Sequence, residues 1–312
     1  MRGITGSGLH EPPFLGQRHP ATGRVAGESL AWARGLGLVE DGPRWHRLRA
    51  ADAAELAGRA CPRAPVGRLR LLTDLINWLF VVDDSCDEDE LGAEPGRLAP
   101  TVATLLDVLD QHGTTGAAAP AGGPLGVALA DICRRVHHHR PALLLRLVAQ
   151  LREYLLALLW EAANREHQRV PELTEYLQMR RHTGGVRPSL ALTDLAYDVR
   201  PGPGRRTDPA VLALDNLTVD LVCWCNDLFS HRKELRAAPD PHNLVTVIAT
   251  HTGQEIDAAV CTAAGLFNDG LDRFLVGEAA LAGDPTLAPF LDVRRSWIRA
   301  TYDWSLRAGR YA

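Results

Sequence analysis

Cysteine is scarce in this chain. Six in 312 residues are too few for the disulfide framework of a small secreted domain. Cys223 and Cys225 form a CxC pair, but no second Cys or His pair stands at zinc-finger spacing. Both read as small apolar residues in a reducing cytoplasm. Long apolar runs are also missing. Asp74 and Asn77 interrupt Leu71–Val82, and Arg146, Arg152 and Glu153 interrupt Leu143–Trp160, so neither stretch reads as a membrane span and no stable membrane insertion is expected. The opening MRGITGSGLHEPPF lacks the apolar centre of a signal peptide; a cytoplasmic location is expected. No charge sign dominates: 34 basic and 38 acidic residues leave −4, which offers no general footprint for nucleic acid. The phosphate loop GxxxxGK[ST] and a GxGxxG before a strand are both absent, which sets nucleotide folds aside. No GxSxG occurs, so a serine-hydrolase elbow is unsupported.

What is present is helical periodicity. Apolar residues make up 46% of the chain, enough to offset the entropy of ordering, and they recur at steps of three and four. Leu69, Leu72, Leu75, Ile76, Leu79 and Val82 form one stripe, and Leu143, Leu147, Leu151, Leu155, Leu158 and Leu159 a second. Leu212, Val219, Val222 and Cys223 mark a third, and Val260, Leu266, Leu271 and Leu275 a fourth. Breakers gather at Gly113–Pro124, Arg200–Arg206, Pro239–Pro241 and Gly283–Pro285, each joining two helical patterns. With no sustained alternation of period two and no internal repeat, the expected architecture is all-α, about ten helices in a single domain over 1–312. One further break, Thr183-Gly184-Gly185 with Pro188, interrupts a helical stretch. Locally it reads as an ordinary connection; the other reading is a break that aims backbone carbonyls into a cavity.

Two clusters carry chemistry. In Phe80-Val81-Val82-Asp83-Asp84-Ser85-Cys86-Asp87-Glu88-Asp89-Glu90, the carboxylates Asp83, Asp84 and Asp87 share a helix face with Phe80. They repel one another and, near a helix C-terminus, oppose the macrodipole, an arrangement that divalent cations would relieve. Oxygen donors without His or Cys point to Mg²⁺ or Mn²⁺; the alternative is a solvated acidic helix end, with Asp89 and Glu90 in solvent. In the second cluster, Asn226, Ser230 and Glu234 recur at steps of four and present three oxygen donors on one stripe. Upstream that stripe is apolar, through Val219, Val222 and Cys223, which would suit an apolar cavity with a metal site at its mouth. Cations complete the set: Arg180, Arg181, Lys233 and Arg310, the last followed by Tyr311. Acidic metal sites together with guanidinium and ammonium donors describe a receptor for a diphosphate held through metals.

These residues resemble class I terpene synthases. Asp83-Asp84-Ser85-Cys86-Asp87 resembles the family's DDxxD motif, and Asn226-Asp227-Leu228-Phe229-Ser230-His231-Arg232-Lys233-Glu234 its NDxxSxxKE motif at every fixed position. His19-Pro20, Trp32, Arg180-Arg181-x-Thr183-x-Gly185 and the Arg310-Tyr311 pair are similar to further bacterial family features in the same order, with 46 positions from Arg180 to Asn226. The resemblance implies an α-helical bundle around a central apolar cavity. It implies three Mg²⁺ ions, held by Asp83, Asp84 and Asp87 on one side and by Asn226, Ser230 and Glu234 on the other. Arg180, Lys233, Arg310 and Tyr311 would bind the substrate diphosphate. Thr183 would link Arg180 to Gly184, whose carbonyl would face the allylic carbon. One position departs from the pattern: Ala300 stands between Trp297 and Trp304, where glycine is expected.

The expected activity is ionisation of an allylic prenyl diphosphate and cyclisation of the resulting cation, which an apolar cavity shields from water. Phe80, Trp297 and Trp304 are candidate cavity rings, although aromatics are only 6% of the chain; Trp78 is expected in the core. Farnesyl diphosphate is the favoured substrate and geranylgeranyl diphosphate the competitor. A chain-elongating prenyltransferase would need a second aspartate-rich cluster, and a non-catalytic scaffold would leave the ordered motifs unexplained. The N-terminal segment 1–25 is expected to be lid-like or partly ordered, Arg310-Tyr311 to close late, His137–His139 and His231 to lie at the surface, and a homodimer is compatible with the architecture.

Overall fold

The computed structural model describes residues 8–111, 122–202, 204–237 and 241–311. Among them there is no strand. Thirteen α-helices follow in order: α1 (Thr22–Gly35), α2 (Pro43–Ala51), α3 (Ala53–Ala60), α4 (Val66–Asp87), α5 (Pro95–Asp110), α6 (Gly123–His139), α7 (Pro141–Glu166), α8 (Leu173–Thr183), α9 (Val186–Ala196), α10 (Pro209–Ala237), α11 (Leu244–Thr252), α12 (Ile256–Leu281) and α13 (Ala288–Ser305). The count exceeds the expected ten because α1, α2 and α3 lie in a stretch whose short apolar steps carried no sustained stripe. No described helix is long and apolar enough to cross a membrane.

Helix starts follow local chemistry. Pro43, Pro95 and Pro141 each open a helix at its first position, where a missing N–H costs nothing and φ is already helical. Asn243 caps α11 by accepting from the Val245 N–H at 2.9 Å. At the α8–α9 break, Gly184 retains helical angles and Gly185 adopts φ +64°, which restarts the chain in a new direction. The breaker stretch at Arg200–Arg206 holds the start of a short 3₁₀ turn (Arg205–Thr207), and the one at Gly283–Pro285 leads into another (Pro285–Leu287). Most of Gly113–Pro124 and part of Pro239–Pro241 lie outside the described residues.

α4 is buried nearly all round, with Leu69, Leu72, Leu75, Ile76, Trp78, Leu79 and Val82 in the core, between α1, α3, α6 and α9. The α7 stripe is buried from Leu143 to Leu158. α10, about 43 Å long at 1.5 Å per residue, packs on α12, α13, α11 and α8. Its stripe is buried at Val219, Val222 and Cys223 but runs past the packed layer at its N-terminal end. Leu212 is exposed, contrary to the expected core role, because it sits in the first turn, before α10 meets its neighbours on that side. His231 is buried rather than at the surface, with its ring bonded to the Leu228 carbonyl at 2.8 Å, because α11 and α12 cover that side of α10. His137, His138 and His139 are exposed. From residue 8 the N-terminal stretch lies on α12 and α13: His10 N–H donates to Asn268 Oδ1, Arg299 donates to the Pro12 carbonyl, and Phe14 meets Phe274 edge-on. Helix α1 begins at Thr22.

Candidate active site

The C-terminal turns of α4 and α10 end at the mouth of one hollow of about 680 Å³. Asp83, Asp84, Asp87 and Phe80 line it from α4, and Val222, Cys223, Asn226, Ser230, Lys233 and Glu234 from α10. Arg180, Thr183 and Gly184 come from the α8–α9 break, Trp297 and Trp304 from α13, and Arg310 and Tyr311 from the short C-terminal turn Gly309–Tyr311. Val219 does not reach it. This valine lies on the same stripe one turn below Val222, where α10 is already sealed against its neighbours; periodicity gives its direction but not the depth of the cavity floor.

The acidic end of α4 is crowded with negative charge, and cations from four other elements answer it. Arg310 Nη2 donates to Asp83 Oδ2 at 2.7 Å, and Nη1 lies 2.9 Å from Asp84 Oδ1. Arg165 of α7 pairs with Asp87 at 2.6 Å, and Lys233 of α10 donates to Glu88 at 2.7 Å. From α2, Arg44 and Arg47 pair with Asp89, which is therefore partly buried in an ion-pair cluster and not in open solvent as expected. Burial pushes the Asp84 carboxyl above the usual carboxylate range, with Arg310 pulling the other way. Glu88 is held below that range by its bond to Lys233.

The opposite wall is set by side chains that the sequence reading did not single out. Asp227, buried, accepts from Arg180 at 2.8 Å and from the Tyr176 hydroxyl at 2.6 Å. Burial disfavours the charge on Arg180, but the negative groups around it, Asp227 foremost, hold its pKa above the ordinary value. So anchored, Arg180 also donates to Asn226 Oδ1 at 3.0 Å. Asn243 Nδ2 donates to Glu234 Oε2 at 2.7 Å and to the Asp227 carbonyl at 3.0 Å, so the α11 cap also orients the last oxygen donor of α10. Asp227 belongs to the second motif and could have been found there; Tyr176 and Asn243 carried no local signal. Arg181 turns away to Asp220, 2.7 Å off.

The two walls are linked across the mouth. Arg310 holds Asp83, and its neighbour Tyr311 accepts from Asn226 Nδ2 at 2.6 Å. Arg310 also lies 4.7 Å over the Phe80 ring, and Phe80 stacks on Trp304 with centroids 5.9 Å apart. Below, Leu56, Ile76, Leu79, Val222, Cys223 and Trp297 make the lining apolar. The α8–α9 break contributes backbone to this lining, which goes beyond an ordinary connection. At Gly184 a Cβ would stand 2.5 Å from Cys223 Sγ and 3.2 Å from the Arg180 carbonyl.

The donor set on both walls is all oxygen, which fits a hard divalent ion. Among the described residues, no three carboxylate, thiolate or imidazole groups are gathered around one point; Asp83 and Asp84 instead share one ion-pair partner, Arg310. An ion and Arg310 would therefore share the same negative charge, and a polyanion at the mouth would give Arg310 a second partner. Oxygen donors flanking an apolar hollow, with cations at its rim and helices all round, define a class I terpenoid synthase.

Residues 74–273 match the family described as terpene synthase family 2, C-terminal metal binding. Over 311 residues the chain is 32% identical to (+)-eremophilene synthase of Sorangium cellulosum, covering 98% of this chain and 93% of that protein. It is 33% identical to a (+)-T-muurolol synthase of Roseiflexus castenholzii named as (2E,6E)-farnesyl diphosphate cyclizing, covering 96% and 92%. A single-substitution variant of cucumene synthase superposes with TM-score 0.83 at 26% identity, covering 97% of this chain and all of that one. The chain belongs to this metal-binding terpene synthase family and is a terpene cyclase of class I.

Proposed function

We propose that the protein is a magnesium-dependent cyclase that converts farnesyl diphosphate to a cyclic sesquiterpene and releases diphosphate. The observation that carries this reading is the junction of the two oxygen-bearing walls over one apolar hollow, bridged by Arg310 and Tyr311. The names of the relatives, one of which specifies the farnesyl substrate, support the fifteen-carbon choice. A volume of about 680 Å³ lies within the range of about 300–1,000 Å³ common for small-molecule sites.

Asp83, Asp84 and Asp87 would hold two magnesium ions, and Asn226, Ser230 and Glu234 a third. Bound there, magnesium supplies Lewis-acid charge that neutralises the leaving diphosphate. Arg180, Lys233 and Arg310 donate N–H groups to diphosphate oxygens, and Tyr311 its hydroxyl; such donors aimed at developing negative charge favour ionisation. The allylic C–O bond breaks with its electron pair going to diphosphate. The cation stays in the lower lining, where Phe80, Trp304 and Trp297 present π-faces to it and water is excluded. Arg180 needs no reorganisation, because Asp227 and Tyr176 fix it beforehand. The Gly184 carbonyl would face the allylic carbon; Gly184 is tied to Arg180 by its own N–H, which donates to the Arg180 carbonyl at 3.1 Å, and not by the Thr183 hydroxyl, which is buried without a hydrogen-bond partner.

The test is incubation of the purified protein and Mg²⁺ with ten-, fifteen- and twenty-carbon prenyl diphosphates, reading diphosphate release and extracted products. Turnover of the fifteen-carbon substrate to a cyclic product is expected. Preference for the twenty-carbon substrate would overturn the substrate assignment, and no diphosphate release from any of the three would overturn the cyclase reading.

A further inference from the structure

Two tryptophans of α13 line the hollow, and their indole N–H groups are bonded to acceptors of different kinds. Trp304 donates to the Ala51 backbone carbonyl at 2.9 Å, an acceptor that no substitution removes. Trp297 donates to a side chain, the Thr193 hydroxyl of α9, also at 2.9 Å. That hydroxyl in turn donates to the Ser189 carbonyl at 2.9 Å. An indole nitrogen only donates, so both bonds run one way, from the ring through Thr193 to the backbone of α9. Thr193 is not part of the lining. It is fully buried one layer behind, against the Cys61 thiol.

This relay sits at a depth where the angle of a ring matters. Trp304 stacks on Phe80 and meets the Tyr311 ring edge-on at the mouth. Trp297 stands seven residues earlier, about 10 Å further down α13 at 1.5 Å per residue. A prenyl chain anchored by its diphosphate at the mouth carries its distal double bonds to that depth, and those bonds take up the positive charge when a ring closes. An aromatic ring is negative on its face and positive at its edge, so a cation is favoured beside the face and disfavoured beside the edge. Which of the two it meets depends on the angle of the indole, and the bond to Thr193 fixes that angle. The two helices are held together separately. Arg294, one turn before Trp297, is ion-paired with Asp194, the residue next to Thr193. Loss of the hydroxyl therefore frees the ring and leaves α9 and α13 in register.

We infer that Thr193 is a positioning residue for product selectivity: through its hydroxyl it fixes the Trp297 ring and so decides which cation the lower lining favours. The inference rests on the cyclase reading above and goes beyond it, because it assigns selectivity to a side chain that never touches the substrate.

The experiment is turnover of farnesyl diphosphate with Mg²⁺ by the wild type, Thr193→Val, Thr193→Ser, Trp297→Phe and the double variant, reading diphosphate release and the products by gas chromatography. Thr193→Val keeps the shape and removes the acceptor. The ratio of the main product to all others should fall roughly fivefold, the factor that one neutral hydrogen bond supplies; diphosphate release should fall by less, because ionisation takes place at the mouth. Thr193→Ser should keep the wild-type ratio. In the Trp297→Phe background, which has no N–H to hold, Thr193→Val should change the ratio no further. An unchanged ratio in Thr193→Val, an equal fall in Thr193→Ser, or the same fall in both backgrounds would overturn the inference. Where Thr193→Val does not fold, hydrogen exchange of the wild-type Trp297 indole N–H decides, its signal being the one missing in Trp297→Phe. Strong protection is expected, and exchange as fast as in free tryptophan would overturn the inference. No diphosphate release by the wild type is a different failure, which removes the cyclase reading and this inference with it.

Discussion

Replacing Gly184 with alanine isolates how closely the α8–α9 break is fitted to α10. The backbone there has φ −71° and ψ −3°, which any L-residue adopts. Removing glycine's extra freedom from the unfolded chain would by itself stabilise by roughly 0.4–1 kcal/mol. The added methyl, however, meets Cys223 Sγ at 2.5 Å and the Arg180 carbonyl at 3.2 Å. The thiol is buried, pushed up to about 12 by burial and hence neutral, and it lies 3.6 Å from that same carbonyl. It has little room to give. Overpacking of this kind costs about 1–3 kcal/mol, so the net loss in urea unfolding should be about 1–2 kcal/mol. Displacing the Arg180 backbone should also lower turnover by roughly ten- to a hundredfold. Cys223→Ala alone leaves a small void and costs about 1 kcal/mol. Combined with Gly184→Ala, it removes the clashing atom, so the double variant should be at least about 1 kcal/mol more stable than the two single effects added together, with turnover recovered in part. Strict additivity of the two changes would refute the claim that this contact makes glycine necessary.

Other outcomes follow from the same geometry. Asn243→Ala removes both the cap of α11 and the bond to Glu234, and should cost about 1 kcal/mol of stability and weaken magnesium dependence of turnover roughly ten- to a hundredfold; a magnesium titration of the rate checks this. Magnesium with diphosphate, at about a hundred times its dissociation constant, should stabilise the fold by about 2.7 kcal/mol in a thermal-shift assay, and Asp83→Asn or a chelator should abolish the shift. Away from the site, Asp194 is buried with Arg294 and Arg146. Burial works to raise its carboxyl pKa, but the guanidinium groups outweigh it and hold it below the usual value. A carboxyl depressed on folding contributes stability that is full above its unfolded value of about 3.9 and is lost as pH falls through that value and below. Asp194→Asn should therefore lose about 3–5 kcal/mol at neutral pH and show a shallower decline in unfolding midpoint between neutral and acidic pH than the wild type.

Much of the fold was legible along the chain because helical burial is written in local spacing. The Leu69–Val82 and Leu143–Leu158 stripes are buried as their periods require. Glycine and proline mark the α8–α9 break because backbone angles are a local property. The oxygen ladder of Asn226, Ser230 and Glu234 could be read from steps of four alone. Periodicity failed where depth matters. Leu212 and Val219 share the direction of Val222 and Cys223, yet one is exposed and the other sealed beneath the floor. His231 looked like a surface residue because its coverage comes from helices that follow it in the chain.

By itself the amino-acid order determined that the protein is helical, that carboxylates crowd the end of α4 and that donors line the end of α10. Those are properties of neighbours in sequence, set by a helical turn and by side-chain chemistry. Only the tertiary structure decided that both ends meet at one mouth, that Asp227 and Tyr176 hold Arg180 in place, and that Asn243 aims Glu234. Each depends on groups from separate helices being brought within about 3 Å, the reach of a hydrogen bond, or kept beyond it, and that distance is settled by how whole helices pack.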